Sequence, residues 1–166
     1  MDPQPFSPTR DRAVFAAILS GAYASAGVAL LFLALDAFRG DPFLTPSLLG
    51  STILLGLEPA ADLPVRLDMV ALYSIVHLVA FVALGAVATF ATSRLELLRR
   101  RPIVLPLILF AVLALSELLV STVLFPGLID VIGLGRVTLA NALAAWIVGR
   151  IVREALADED MLSLMD

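Results

Sequence analysis

Four long apolar runs, at 13–38, 68–93, 102–125 and 131–152, alternate along the chain with short segments that hold most of its charge and proline. Within each run the apolar residues go all the way round a helix instead of forming one stripe, which is the pattern of a helix whose solvent is lipid. A helix needs roughly 20 apolar residues to cross a hydrocarbon core about 30 Å thick, and each run has that length. The expected fold is therefore an all-α integral membrane protein with four transmembrane helices in a compact bundle. Residues 1–12 form an N-terminal segment, 13–153 the membrane domain and 154–166 an acidic tail.

The first run contains Ala24-Ser25-Ala26, which resembles a small-residue signal cleavage site. The apolar stretch continues past it through Val28, Leu30, Leu31, Phe32, Leu33 and Leu35, beyond the length of a signal core, so a retained span is expected. The connection between the first two runs carries a shorter apolar segment at 46–57. Thr45 before Pro46 suits an N-cap followed by the first helical residue. A helix of about 12 residues is only about 18 Å long, so this one is expected to lie at the interface or to re-enter the bundle instead of crossing.

Composition agrees with a lipid environment: 60% of the residues are hydrophobic and 16% are charged. Charge sets the direction. All eleven basic residues are Arg. Arg10, Arg12, Arg94, Arg99, Arg100, Arg101, Arg150 and Arg153 fall on one side of the expected spans, and Arg39, Arg66 and Arg136 on the other. That excess places both termini in the cytoplasm of a cell whose inner membrane holds the chain. Asp36, Asp41, Glu58, Asp62 and Asp68 then make the outer surface acidic. No basic block suggests nucleic-acid binding, and the absence of cysteine excludes disulfides and thiolate metal sites.

Small residues recur at helical spacing. Ala17, Gly21, Ser25 and Ala29 line one face of the first span, Gly85 lies on the second, and Ala145 and Gly149 on the fourth. Such faces let helices approach closely in lipid, where packing replaces hydrophobic exclusion as the associating force. They are expected to pack the bundle and to offer a contact to other membrane subunits.

Few strongly polar side chains lie deep in the runs: His77 in the second, Glu117 in the third and Asn141 in the fourth. Each is about nine residues from the outer end of its span, hence about 13 Å below the outer boundary. Tyr73, one turn before His77, shares its face. Polar groups at this depth turn toward protein or water, so a hydrogen-bonded cluster of His77, Glu117, Asn141 and Tyr73 is expected. With no nucleotide loop, zinc motif or nucleophile elbow in the sequence, the expected function is non-catalytic. The chain reads as an accessory subunit packing in the lipid bilayer beside other subunits of a bacterial complex, of the respiratory or photosynthetic kind, without a cofactor. The alternatives are a small transporter or channel moving protons or cations through His77 and Glu117, or a subunit binding haem or a chlorophyll-type pigment through His77.

Overall fold

A computed structural model describes the backbone of residues 8–163; residues 1–7 and 164–166, within the expected N-terminal segment and acidic tail, lie outside the description. The described residues are helical with no strand, in seven α-helices: α1 (Pro8–Ala37), α2 (Leu44–Leu55), α3 (Leu67–Arg94), α4 (Glu96–Arg100), α5 (Val104–Leu119), α6 (Leu128–Ile132) and α7 (Leu134–Ser163). A π-helical turn, Val120–Leu124, extends α5 as one rod.

Three rods are long and apolar enough to cross a membrane: Arg12–Ala37, Leu67–Arg94 and Val104–Leu124. The last two are the most apolar, yet only 6% and 11% of the residues in their apolar windows are buried. A water-soluble protein would bury such helices first, so their exposure identifies lipid as the medium. The fourth expected span, in α7, is not among the three. It carries Arg136, Asn141, Arg150, Arg153 and Glu154 between its apolar residues.

This least apolar of the long helices is also the best packed. α7 lies against α1, α3 and α5, and its Ala140, Ala144, Ala145, Val148 and Val152 are buried with Ala24, Ala88, Leu105 and Leu109 in the main core. A second core of Leu48, Leu128, Ile132 and Val137 lies under α2. α3 packs mainly on α1 and α5 mainly on α7, whereas α3 and α5 make little contact with each other.

Glycine sets two of these crossings. A Cβ on Gly85 would come within 3.0 Å of the Gly21 nitrogen and overlap the Ala17 carbonyl oxygen, and one on Gly21 would strike the backbone of Phe81 and Val82. The α1 and α3 backbones are therefore in direct contact. On the other side of the core, Gly149 of α7 accepts the ring of Pro106 from α5.

α2 begins differently from the sequence expectation. Its first residue is Leu44, Phe43 holds the N-cap position without a side-chain hydrogen bond, and Thr45 lies inside the first turn. One N–H group of that turn is satisfied from another helix: the Asp36 carboxylate accepts the Thr45 N–H at 2.7 Å and the Thr45 hydroxyl at 2.9 Å. Asp36 is thus fully buried and does not belong to the acidic outer surface. Arg136 of α7 completes the group, with Nη1 at 3.4 Å from the same carboxylate. At its other end α2 stops at Gly56, whose φ of 69° supports the left-handed cap that closes it.

α2 is also tied to α3. Ser47 accepts the Arg66 N–H at 2.8 Å, and Gly50 sits where a Cβ would be 2.6 Å from the Met69 carbonyl oxygen. The exposed Arg66 guanidinium pairs with Asp68 beside it, and this hydrogen bond raises its pKa above the ordinary arginine value. At the opposite end Arg94 lies over Phe90 and Arg150 over Trp146, the stem-along-the-helix posture of interfacial arginine.

Candidate functional site

The polar residues singled out from the sequence sit in the half of the molecule nearer α2, but they divide into two pairs. On one side, His77 of α3 shares a 3.1 Å hydrogen bond through Nδ1 with the Ser25 hydroxyl of α1. Its ring stacks on Tyr73 at 5.6 Å between centroids and lies tilted against Phe81 at 4.5 Å. On the other side, the Asn141 amide of α7 donates to Glu117 Oε2 of α5 at 2.8 Å. Asn141 is buried, whereas His77 and Glu117 are half-buried. No hydrogen bond or ion pair joins His77 to Glu117 among the described residues.

What separates the pairs is space. A cavity of about 350 Å³ has His77, Tyr73 and Phe81 on its α3 wall, with Glu117 and Asn141 on the α5 and α7 walls. α2 contributes Leu49 and Ile53. Its lining includes Ala80 on α3 and Ser116 on α5, both exposed, so the cavity opens sideways through the gap left where α3 and α5 barely touch. A second, almost wholly apolar cavity of about 170 Å³ lies under α2 between α1 and α3, with Ala29, Leu33, Pro46 and Val70 in its walls. The two share Val28, Phe32, Leu49, Tyr73 and His77, whose side chains form a wall common to both.

The small-residue positions are mostly used inside the chain. Ala17, Gly21 and Ser25 face α3, Gly85 faces α1, and Ala145 and Gly149 lie in the α5–α7 contact region or the core. Ala29 is exposed and lines the apolar cavity instead of a helix contact. Thr89, Thr92 and Ser93, farther along α3, bond to carbonyls of their own helix, at Gly85, Ala88 and Phe90.

Sequence spacing missed Ser25 as the partner of His77, because Ser25 belongs to a stripe that reads as packing. A small polar residue at the level of an intramembrane histidine is the signal that would have found it. Among the described residues no group of three or more His, Asp or Glu side chains is placed to hold a metal ion. His77 Nε2 has no hydrogen-bond partner among the described residues, so the imidazole keeps one free position toward its surroundings. No protein-family model matches the chain, and neither curated proteins nor solved structures include one similar to it.

Proposed function

We propose that this chain is a non-catalytic accessory subunit of a larger inner-membrane assembly, and that its contribution is a binding cleft for an occupant drawn from within the bilayer. The observation that carries the proposal is the placement of half-exposed His77 and Glu117 on opposite walls of a cavity that opens sideways between α3 and α5. Lipid tails cannot hydrogen-bond, and ionisable groups facing them are costly. An occupant that presents polar atoms to both walls removes that cost.

Four spans with both termini in the cytoplasm are part of the same proposal. α7 is supported as the fourth because its polar residues at the α2 end are matched by neighbours, Arg136 by Asp36 and Asn141 by Glu117. A helix of modest hydropathy is tolerated in a membrane when its polar groups face protein and are paired there. The direction is supported by the arginine count, which puts the α2 end outside.

Native mass spectrometry of the full chain released from mild detergent tests the binding role. The expected result is a mass above that of the bare chain, and replacing both His77 and Glu117 with Leu should abolish the excess. A stable, uniformly bare monomer, with or without those residues, would overturn the proposal.

A further inference from the structure

Resting on that binding role, we infer that the occupant is a small neutral amphipath: a ring with an oxygen at each end, of the quinone or quinol type, carrying an apolar tail. Several observations converge on this chemistry. The hydrogen-bonding groups of the larger cavity lie on opposite walls, with imidazole on the α3 side and carboxyl with carboxamide on the α5 and α7 side, and the two are not bonded to each other. Each wall keeps capacity to spare. Ser25 occupies only Nδ1 of His77, and Asn141 donates only to Oε2 of Glu117, leaving Nε2 and Oε1.

Between the polar walls the lining is aromatic and aliphatic, with Tyr73, Phe81 and Phe32 available to a flat ring. The volume, about 350 Å³, falls in the range of small-molecule sites, roughly 300 to 1,000 Å³. The apolar cavity on the far side of the shared Tyr73–His77 wall is a neighbouring compartment that suits a tail, and the sideways mouth admits a molecule already dissolved in the membrane. A partner transmembrane helix would fill the mouth but would not reach the slot under α2.

Equilibrium binding of a radiolabelled decyl-benzoquinone to the full chain in lipid nanodiscs is the test, beside an alkylbenzene of the same tail length that lacks the oxygens. Saturable binding of the quinone, at least tenfold tighter than that of the alkylbenzene, is expected. H77F keeps an aromatic ring in the stack, and E117Q keeps an acceptor for Asn141, so both should fold; a thermal melt checks that they do. H77F should weaken the quinone about tenfold, as should a Glu117→Leu variant, with E117Q between Leu and the native chain. Leu78→Ala, on the exposed face of α3 and outside both cavities, should bind as the native chain does. Equal binding of the two probes would overturn the inference. So would absence of quinone binding while a photocrosslinker at Ser116 captures a partner polypeptide at fixed stoichiometry, an outcome that leaves the wider binding role standing. If the native chain binds neither probe and crosslinks nothing at Ser116, both fail.

Discussion

Replacing Asp36 with Ala should cost more stability than any other single polar truncation in the molecule. The carboxylate is fully buried and accepts two short hydrogen bonds from Thr45, at 2.7 and 2.9 Å, while Arg136, mostly buried, approaches at 3.4 Å. Removing it leaves the Thr45 N–H and hydroxyl without a partner in a buried first turn, and strands a guanidinium. Breaking a buried ion pair from one side costs about 3 to 5 kcal/mol, and each hydrogen bond to a charged acceptor accounts for about 1.5 to 3 kcal/mol of that kind of loss. The Thr45 bonds are shorter than the Arg136 contact, so they should dominate.

Three variants separate the contributions. Thr45→Val should cost about 1.5 to 3 kcal/mol, because the N–H bond survives and only the hydroxyl's bond to the carboxylate is lost. Arg136→Met should cost less than Asp36→Ala, because Asp36 still caps α2. The double variant Asp36→Ala with Arg136→Met should be less destabilised than the two singles added together, since no unpaired charge remains. Reversible unfolding in mixed micelles, followed by circular dichroism, gives all four values. Additive losses, or an Asp36→Ala variant as stable as the native chain, would show that this carboxylate neither caps α2 nor holds Arg136.

Other positions give sharper single readings. Gly85→Val should loosen the α1–α3 crossing by about 1 to 3 kcal/mol, because the added carbons meet backbone atoms of α1 that have no rotamer escape; an unchanged melting temperature would contradict the close approach. Ser47→Ala should cost about 1 kcal/mol by freeing the Arg66 N–H, and hydrogen exchange at Arg66 should speed up in parallel. Thr52 goes the other way: its hydroxyl is buried with no hydrogen-bond partner among the described residues, so Thr52→Val should be neutral or stabilising by about 1 kcal/mol, and a clear loss would reveal an unrecognised partner. Asn141→Leu should destabilise by about 1 to 3 kcal/mol through the orphaned Glu117, with Glu117→Leu added on top recovering part of the loss; failure to recover would mean the pair is not coupled.

Much of this arrangement is legible in the sequence, and the parts that are not share a physical cause. The rods around Leu67–Arg94 and Val104–Leu124 follow from length and apolarity alone, because lipid allows an unbroken hydrophobic surface on every face. The small-residue spacing of Gly21 and Gly85 identifies faces that pack but not which helix each face meets, since the distance constraint is the same for any neighbour. Counting rise per residue from the expected span ends puts His77, Glu117 and Asn141 at one expected level. Lateral position is not fixed by sequence spacing, and it is lateral position that puts a cavity between His77 and Glu117 and hands His77 to Ser25.

The same limit explains Asp36. Its sequence neighbours Arg39 and Asp41 suggest a solvated loop edge, and Thr45 before Pro46 looks self-sufficient as a cap. Only the folding back of α2 onto the end of α1 brings the carboxylate beneath Thr45, nine residues away, and only the packing of α7 beside α1 brings Arg136, a hundred residues away. The polar groups at this end therefore do opposite things. Asp36 gives its acceptors to Thr45 and Arg136 and locks α1, α2 and α7 together, whereas His77 and Glu117 line a cavity and each keep a polar atom without a hydrogen-bond partner among the described residues. A fixed frame beside unsatisfied walls is the arrangement expected of a binding site, in which rigid elements hold the polar groups at a set separation and the ligand supplies the missing bonds.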